Sequence, residues 1–176
     1  AVVGHSYGGV VALAAAARRP DVVVGVGAFE APLSWLPWWP SGTAGGAAVA
    51  RSEEGDRDPG DAADAFLCRV LGEERWTGLP AATRRERRLE GPALVAELAS
   101  LRAGVAPFDF DAMPVPVLAG HGTRSDPHHR RAAEHLAERT GGVPFVIEGA
   151  QHGAHLSHPE AFAAFAQAVA DLVPPR

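Results

Sequence analysis

Near the start of the chain, Gly4-His5-Ser6-Tyr7-Gly8 fits the pattern G-x-S-x-G, and Gly9 extends it. Residues 1–3 read as the end of a β-strand, and a helical pattern starts at Gly8, so Ser6 falls on a strand-to-helix turn. Such a turn strains the serine backbone and pushes its hydroxyl out above a sheet, and glycine recurs where strand and helix come close. The amide of Tyr7, at the amino end of the helix, would face an oxyanion formed beside Ser6 and add the positive end of the helix dipole. Neither phosphate-binding pattern, G-x-G-x-x-G or G-x-x-x-x-G-K-[ST], is present. At the far end, His152, His155 and His158 recur every third residue. That spacing alone could hold a metal, but no cysteine or separated ligand cluster supports it, so neither a metal nor another cofactor is expected.

The elements that must position these groups alternate. A helix over 8–19 is closed by Pro20, and the β-branched run 21–29 reads as a strand buried on both faces, with Glu30 at its carboxyl end. Over 31–107 the character changes to a Pro/Trp stretch, a Gly/Asp-rich loop and helices without strand signal. One helix is capped by Asp61 and carries Phe66, Leu67, Val70 and Leu71; another opens at Pro92 and carries Leu94, Val95, Leu98 and Leu101. The alternation then returns, with a strand at 115–119, a helix at 127–139 and a strand at 145–147. A last helix opens at Pro159, aligns Phe162, Phe165, Val169 and Leu172, and ends at Pro174-Pro175. Strands alternating with helices predict a parallel sheet covered on both faces.

A length of 176 residues suits one domain, and a net charge of -5 argues against a nucleic-acid partner, which requires a basic surface. No apolar run approaches the roughly 20 residues that cross a bilayer, and a cytoplasmic protein is expected. The single cysteine, Cys68, lies in an apolar helical pattern and reads as a buried thiol.

Gly4 to Gly9, the late strand near Val117, and Glu148-Gly149-Ala150-Gln151-His152-Gly153 followed by Pro159-Glu160-Ala161-Phe162 together resemble the α/β-hydrolase superfamily. The resemblance implies the carboxy-terminal part of that fold: sheet strands five to eight with flanking helices, core segments at 1–34 and 108–176, and a helical lid inserted at 35–107. It implies a Ser-His-acid triad in which Ser6 attacks and His152 is the base. For the acid, the family's usual position after the seventh strand falls on Ser125, and Asp126 follows it. Asp126 is the leading candidate, although Asp126-Pro127 is also a good helix cap. Glu30 is the alternative, since some relatives carry the acid after the sixth strand.

A serine rather than an aspartate nucleophile implies acyl transfer, here hydrolysis of a carboxylic ester or related acyl compound through an acyl-enzyme. The other readings are a hydrolase-fold protein that binds or senses without turnover, and an acyltransferase or perhydrolase using the same triad. His5, Trp35 and Trp38 are candidate substrate-binding residues, and the tryptophans imply a small-molecule substrate with an apolar group. The basic run Arg84-Arg85-Glu86-Arg87-Arg88 reads as a solvated helix face. The family's first four strands and its second oxyanion donor have no counterpart here, so about 80–100 upstream residues are expected in the whole protein.

Overall fold

A computed structural model describes residues 1–53 and 58–173. The chain divides into two compact units: Ala1–Leu33 with Ala106–Arg176, and Ser34–Val105.

The first unit holds a parallel sheet of four strands, β1 (Val2–His5), β2 (Val26–Phe29), β3 (Val117–Gly122) and β4 (Phe145–Ile147), in that order. Its helices are α1 (Tyr7–Arg18), α7 (Pro127–Arg139), the short α8 (Ala154–Ser157) and α9 (Pro159–Asp171). The register aligns His5 with Phe29 and Phe29 with Gly120, so the carboxyl ends of β1, β2 and β3 lie side by side. Ligands of open parallel sheets bind outside these ends. A core of Phe29, Ile147, Ala150, Ala154, Phe165 and Val169 anchors α9 to the sheet. Phe29, Phe145 and Phe162 surround the Phe165 ring at centroid distances of 5.5–5.7 Å, within the edge-to-face range.

The second unit is helical: α2 (Ala44–Glu53), α3 (Pro59–Leu71), α4 (Glu73–Thr77), α5 (Ala81–Leu89) and α6 (Gly91–Arg102). The basic run lies on α5, where Arg88 reaches Asp58, Asp61 and Asp64, and Asp64 also accepts from the Trp76 indole at 2.7 Å. Arg88 therefore ties α5 to α3 instead of standing free in solvent.

Several expectations need correction. The strand predicted over 21–29 begins only at Val26, because Asp21 pairs with Arg19 in an exposed turn and Val22 points outward. The α3 cap is Asp58, whose carboxylate accepts from the Gly60 amide; Asp61 lies within the first turn. This helix buries Ala62 and Ala63, whereas Phe66, Leu67 and Leu71 are half-buried and Val70 is exposed. Cys68 is half-buried as well, so the fully buried thiol is not found. On α9, Phe165 and Val169 face the core, but Leu172 is exposed past the helix end. The predicted stop at Pro174-Pro175 lies outside the described residues.

Candidate active site

Ser6 sits between β1 and α1 with φ 55° and ψ -129°. Glu30, just past β2, has φ 49°. Among the described residues these are the two non-glycine residues with positive φ. Such a conformation costs of order 1–3 kcal/mol, and surrounding bonds hold it in place. Ser6 N–H donates to Phe29 O at 2.9 Å, and Glu30 N–H to Gly120 O at 2.8 Å, so the sheet ladder runs directly into both strained residues.

Close packing explains the first glycine of the motif and does not explain the last. A Cβ on Gly4 would lie 2.2 Å from Gly8 O, an impossible approach to backbone, whereas one on Gly8 would meet nothing within 4 Å. The helix start crosses over Gly4, so the constraint falls there.

The carboxylate bonded to His152 belongs to Glu30. His152 Nδ1–H donates to Glu30 Oε2 at 2.8 Å, while Glu30 Oε1 accepts from the Gly122 amide at 3.1 Å and from the Ser125 hydroxyl. Asp126, the leading candidate from sequence, instead occupies the N-cap position of α7, is exposed, and makes no side-chain capping bond. The reason is local. Gly122, where a Cβ would lie 2.2 Å from Ala150 O, lets the histidine loop cross tightly over the end of β3. Arg124 N–H to Ala150 O at 2.9 Å and Gly149 N–H to Thr123 Oγ1 at 2.8 Å then fix the two loops together. In that arrangement Ser125 points inward and is buried, and its hydroxyl supports a carboxylate supplied by β2.

Glu30 is fully buried, which alone would raise its pKa; hydrogen bonds from His152 and Ser125 outweigh that and hold it at about 2. An ionised acceptor fixes the proton of His152 on Nδ1 and leaves Nε2 as the basic nitrogen. Among the described residues the Ser6 hydroxyl forms no hydrogen bond, to His152 or elsewhere.

His5, expected to meet substrate, uses Nε2–H to donate to the His152 carbonyl at 2.6 Å, linking the Ser6 turn to the histidine loop. Burial and the neighbouring His152 lower its pKa to about 4. Trp35 and Trp38 belong to the second unit, where Trp35 is buried and Trp38 half-buried. Tyr7 is the first residue of α1, so its amide is among those with no intrahelical acceptor.

Sequence reasoning passed over His129, in the first turn of α7. Its ring stacks on His152 at 4.6 Å and 24°. The signal was there in Asp126-Pro127-His128-His129, two imidazoles at the start of a helix that follows the loop after β3. Glu30, His129 and His152 place donor atoms within 4.8 Å of one another, a different set from the three-residue histidine spacing. Imidazole binds a metal in its ring plane, and two nearly parallel rings do not converge on one ion, so the arrangement is a stack rather than a chelate.

A family model described as "Alpha/beta hydrolase family" matches residues 1–165. No curated protein matches the chain. Among solved structures, it is similar to E-2-(acetamidomethylene)succinate hydrolase at 24% identity and a TM-score of 0.59, covering 96% of this chain and 65% of that one. A hydrolase from Pseudomonas aeruginosa PA01 gives 19% and 0.66, covering 95% and 63%. The enol-lactonase from Burkholderia xenovorans LB400 gives 20% and 0.63, covering 96% and 64%. The chain thus spans a little under two thirds of the length of these structures.

Proposed function

The chain belongs to the alpha/beta hydrolase family and has its fold, and from that premise we propose that it carries the catalytic residues of a serine hydrolase acting on a carboxylic ester or related acyl compound, with Ser6, His152 and Glu30 as the triad. The observation that carries this reading is the His152–Glu30 bond of 2.8 Å, made by a buried carboxylate whose backbone is strained as that of Ser6 is. Strain of this kind at two positions on adjacent strand ends supports a functional role for both.

In the proposed mechanism, His152 Nε2 takes the Ser6 proton as Oγ attacks the acyl carbon. Glu30 stabilises the imidazolium, and the Tyr7 amide donates to the tetrahedral oxyanion. The imidazolium then protonates the leaving alcohol, leaving an acyl-Ser6 ester. Water, deprotonated by the same nitrogen, cleaves that ester and regenerates the serine. The Ser6 hydroxyl is unbonded here, and such contacts often tighten only when substrate arrives. Ester and lactone chemistry fits the neighbours named as an enol-lactonase and as a marine microorganism esterase, which supports the substrate class.

The test is labelling with a fluorophosphonate, which requires an activated serine, followed by multiple-turnover kinetics on p-nitrophenyl esters. Labelling that disappears in Ser6→Ala, together with turnover, is expected. Labelling without turnover would favour a binding or sensing protein, and faster product formation with added alcohol or peroxide would favour acyl transfer or perhydrolysis. A Ser6→Ala variant that keeps full activity sinks the assignment.

A further inference from the structure

His152 is enclosed by more imidazole than the triad uses. His129 covers one face at 4.6 Å, and the His5 ring lies 4.6 Å away at 47°. His128 lies tilted beyond His129 at 4.4 Å and 41°, and His155 beyond His5 at 4.5 Å and 52°. The groups facing His152 are therefore Glu30 from the end of β2, His5 from β1 and His129 from α7, with His128 and His155 next outward. Only Glu30 carries charge when these neighbouring rings are neutral. Burial, followed by repulsion from His152, lowers the pKa of His129 to about 3, so it stays uncharged where a hydrolase of this kind works.

We propose that His129 is a positioning residue for His152: an uncharged ring stacked face to face on the base, which holds the imidazole in line with Glu30 and stabilises its protonated form. The bond to Glu30 fixes one edge of the His152 ring but leaves rotation about that axis unrestrained, and a flat partner 24° from parallel restrains it. A neutral aromatic face also attracts the imidazolium that develops when Ser6 loses its proton. Leu would fill the space without supplying that face; Phe supplies it without any ionisable group.

This inference rests on the triad reading for its meaning in catalysis, but its test does not depend on turnover. In histidine-labelled Ser6→Ala protein, NMR should give a cross-ring NOE between His129 and His152, and His129 should remain neutral down to about pH 5. His129→Leu should weaken proton binding by His152 about threefold, and His129→Phe should restore it. With Ser6 present, the acid limb of kcat/KM should move the same way while KM is unchanged. An absent NOE, a His129 that becomes charged near neutral pH, or an unchanged His152 midpoint in His129→Leu would overturn the proposal, as would Phe behaving like Leu. Should the Leu variant not fold, the first two measurements on the parent still decide. Failure of fluorophosphonate labelling would refute the hydrolase reading and leave the His129–His152 result standing.

Discussion

Replacing Glu30 with Gln isolates the choice of acid, because it removes one charge and keeps the shape. The carboxylate is fully buried and lies 2.8 Å from His152 Nδ1. For charge centres about 3–4 Å apart and an effective dielectric near 20, its attraction for the imidazolium is about 4–6 kcal/mol. In the proposed mechanism that stabilisation exists only once His152 has taken the serine proton, so its loss should appear in kcat, as a fall of about 10³–10⁴. Gln also offers an amide donor where Nδ1–H now finds an acceptor, which disfavours the required tautomer. The assay is kcat and KM on p-nitrophenyl acetate at pH 8, with circular dichroism to verify the fold and Asp126→Asn measured in parallel. Asp126→Asn should stay within about twofold, since its side chain neither caps α7 nor bonds His152. A folded Glu30→Gln enzyme within tenfold of the parent, or a hundredfold loss in Asp126→Asn, would refute the reasoning.

Further outcomes follow from the same geometry. Ser125→Ala removes one of two donors to Glu30 Oε1, so the Glu30 pKa should rise by about one unit, read from a carbon-13 NMR titration of its carboxyl group. Gly4→Ala drives a Cβ into the Gly8 carbonyl and should destabilise the protein by about 2–4 kcal/mol in denaturant titration, whereas Gly8→Ala enters open space and should be neutral or slightly stabilising. Stability should also fall in acid. His5 and His129 are held neutral in the folded state, so below about pH 6.5 the unfolded chain binds protons that the native state does not, and stability declines as pH drops toward 4. Glu30, with its pKa depressed to about 2, contributes fully above pH 4.5 and loses its contribution, about 3 kcal/mol, as pH falls from there toward 2. Thermal melts from pH 8 to 4 should therefore show a falling midpoint, and His129→Phe should flatten the upper part of that curve.

Helices α1, α3, α5, α6, α7 and α9 follow from local pattern, because apolar period and capping residues act within a few positions of where they stand, whereas the strand order is set by pairing between distant segments. Prediction failed where a residue's environment came from elsewhere. Val22 reads as strand, yet Asp21 is drawn into an ion pair with Arg19 and the strand starts four residues after Val22. Phe66 and Leu67 look like the buried face of α3, but the side chains it buries fully are those of Ala62 and Ala63.

By itself the sequence determined the strand-to-helix turn at Ser6 and the loop that carries His152. A G-x-S-x-G turn and a Gly-Ala-x-His segment declare themselves through glycines and neighbours next to them in the chain. Only the tertiary structure decided which acid His152 meets. Asp126 and Glu30 each end a segment that reaches the same edge of the sheet, and no local pattern separates them. The choice is made by the parallel register that sets the end of β2 beside β3, by the crossing of the histidine loop over Gly122, and by the positive φ that turns Glu30 inward. The stack of His129 on His152 was hidden for the same reason, since 22 residues, a strand among them, separate two rings that touch only once α7 and the histidine loop are in place.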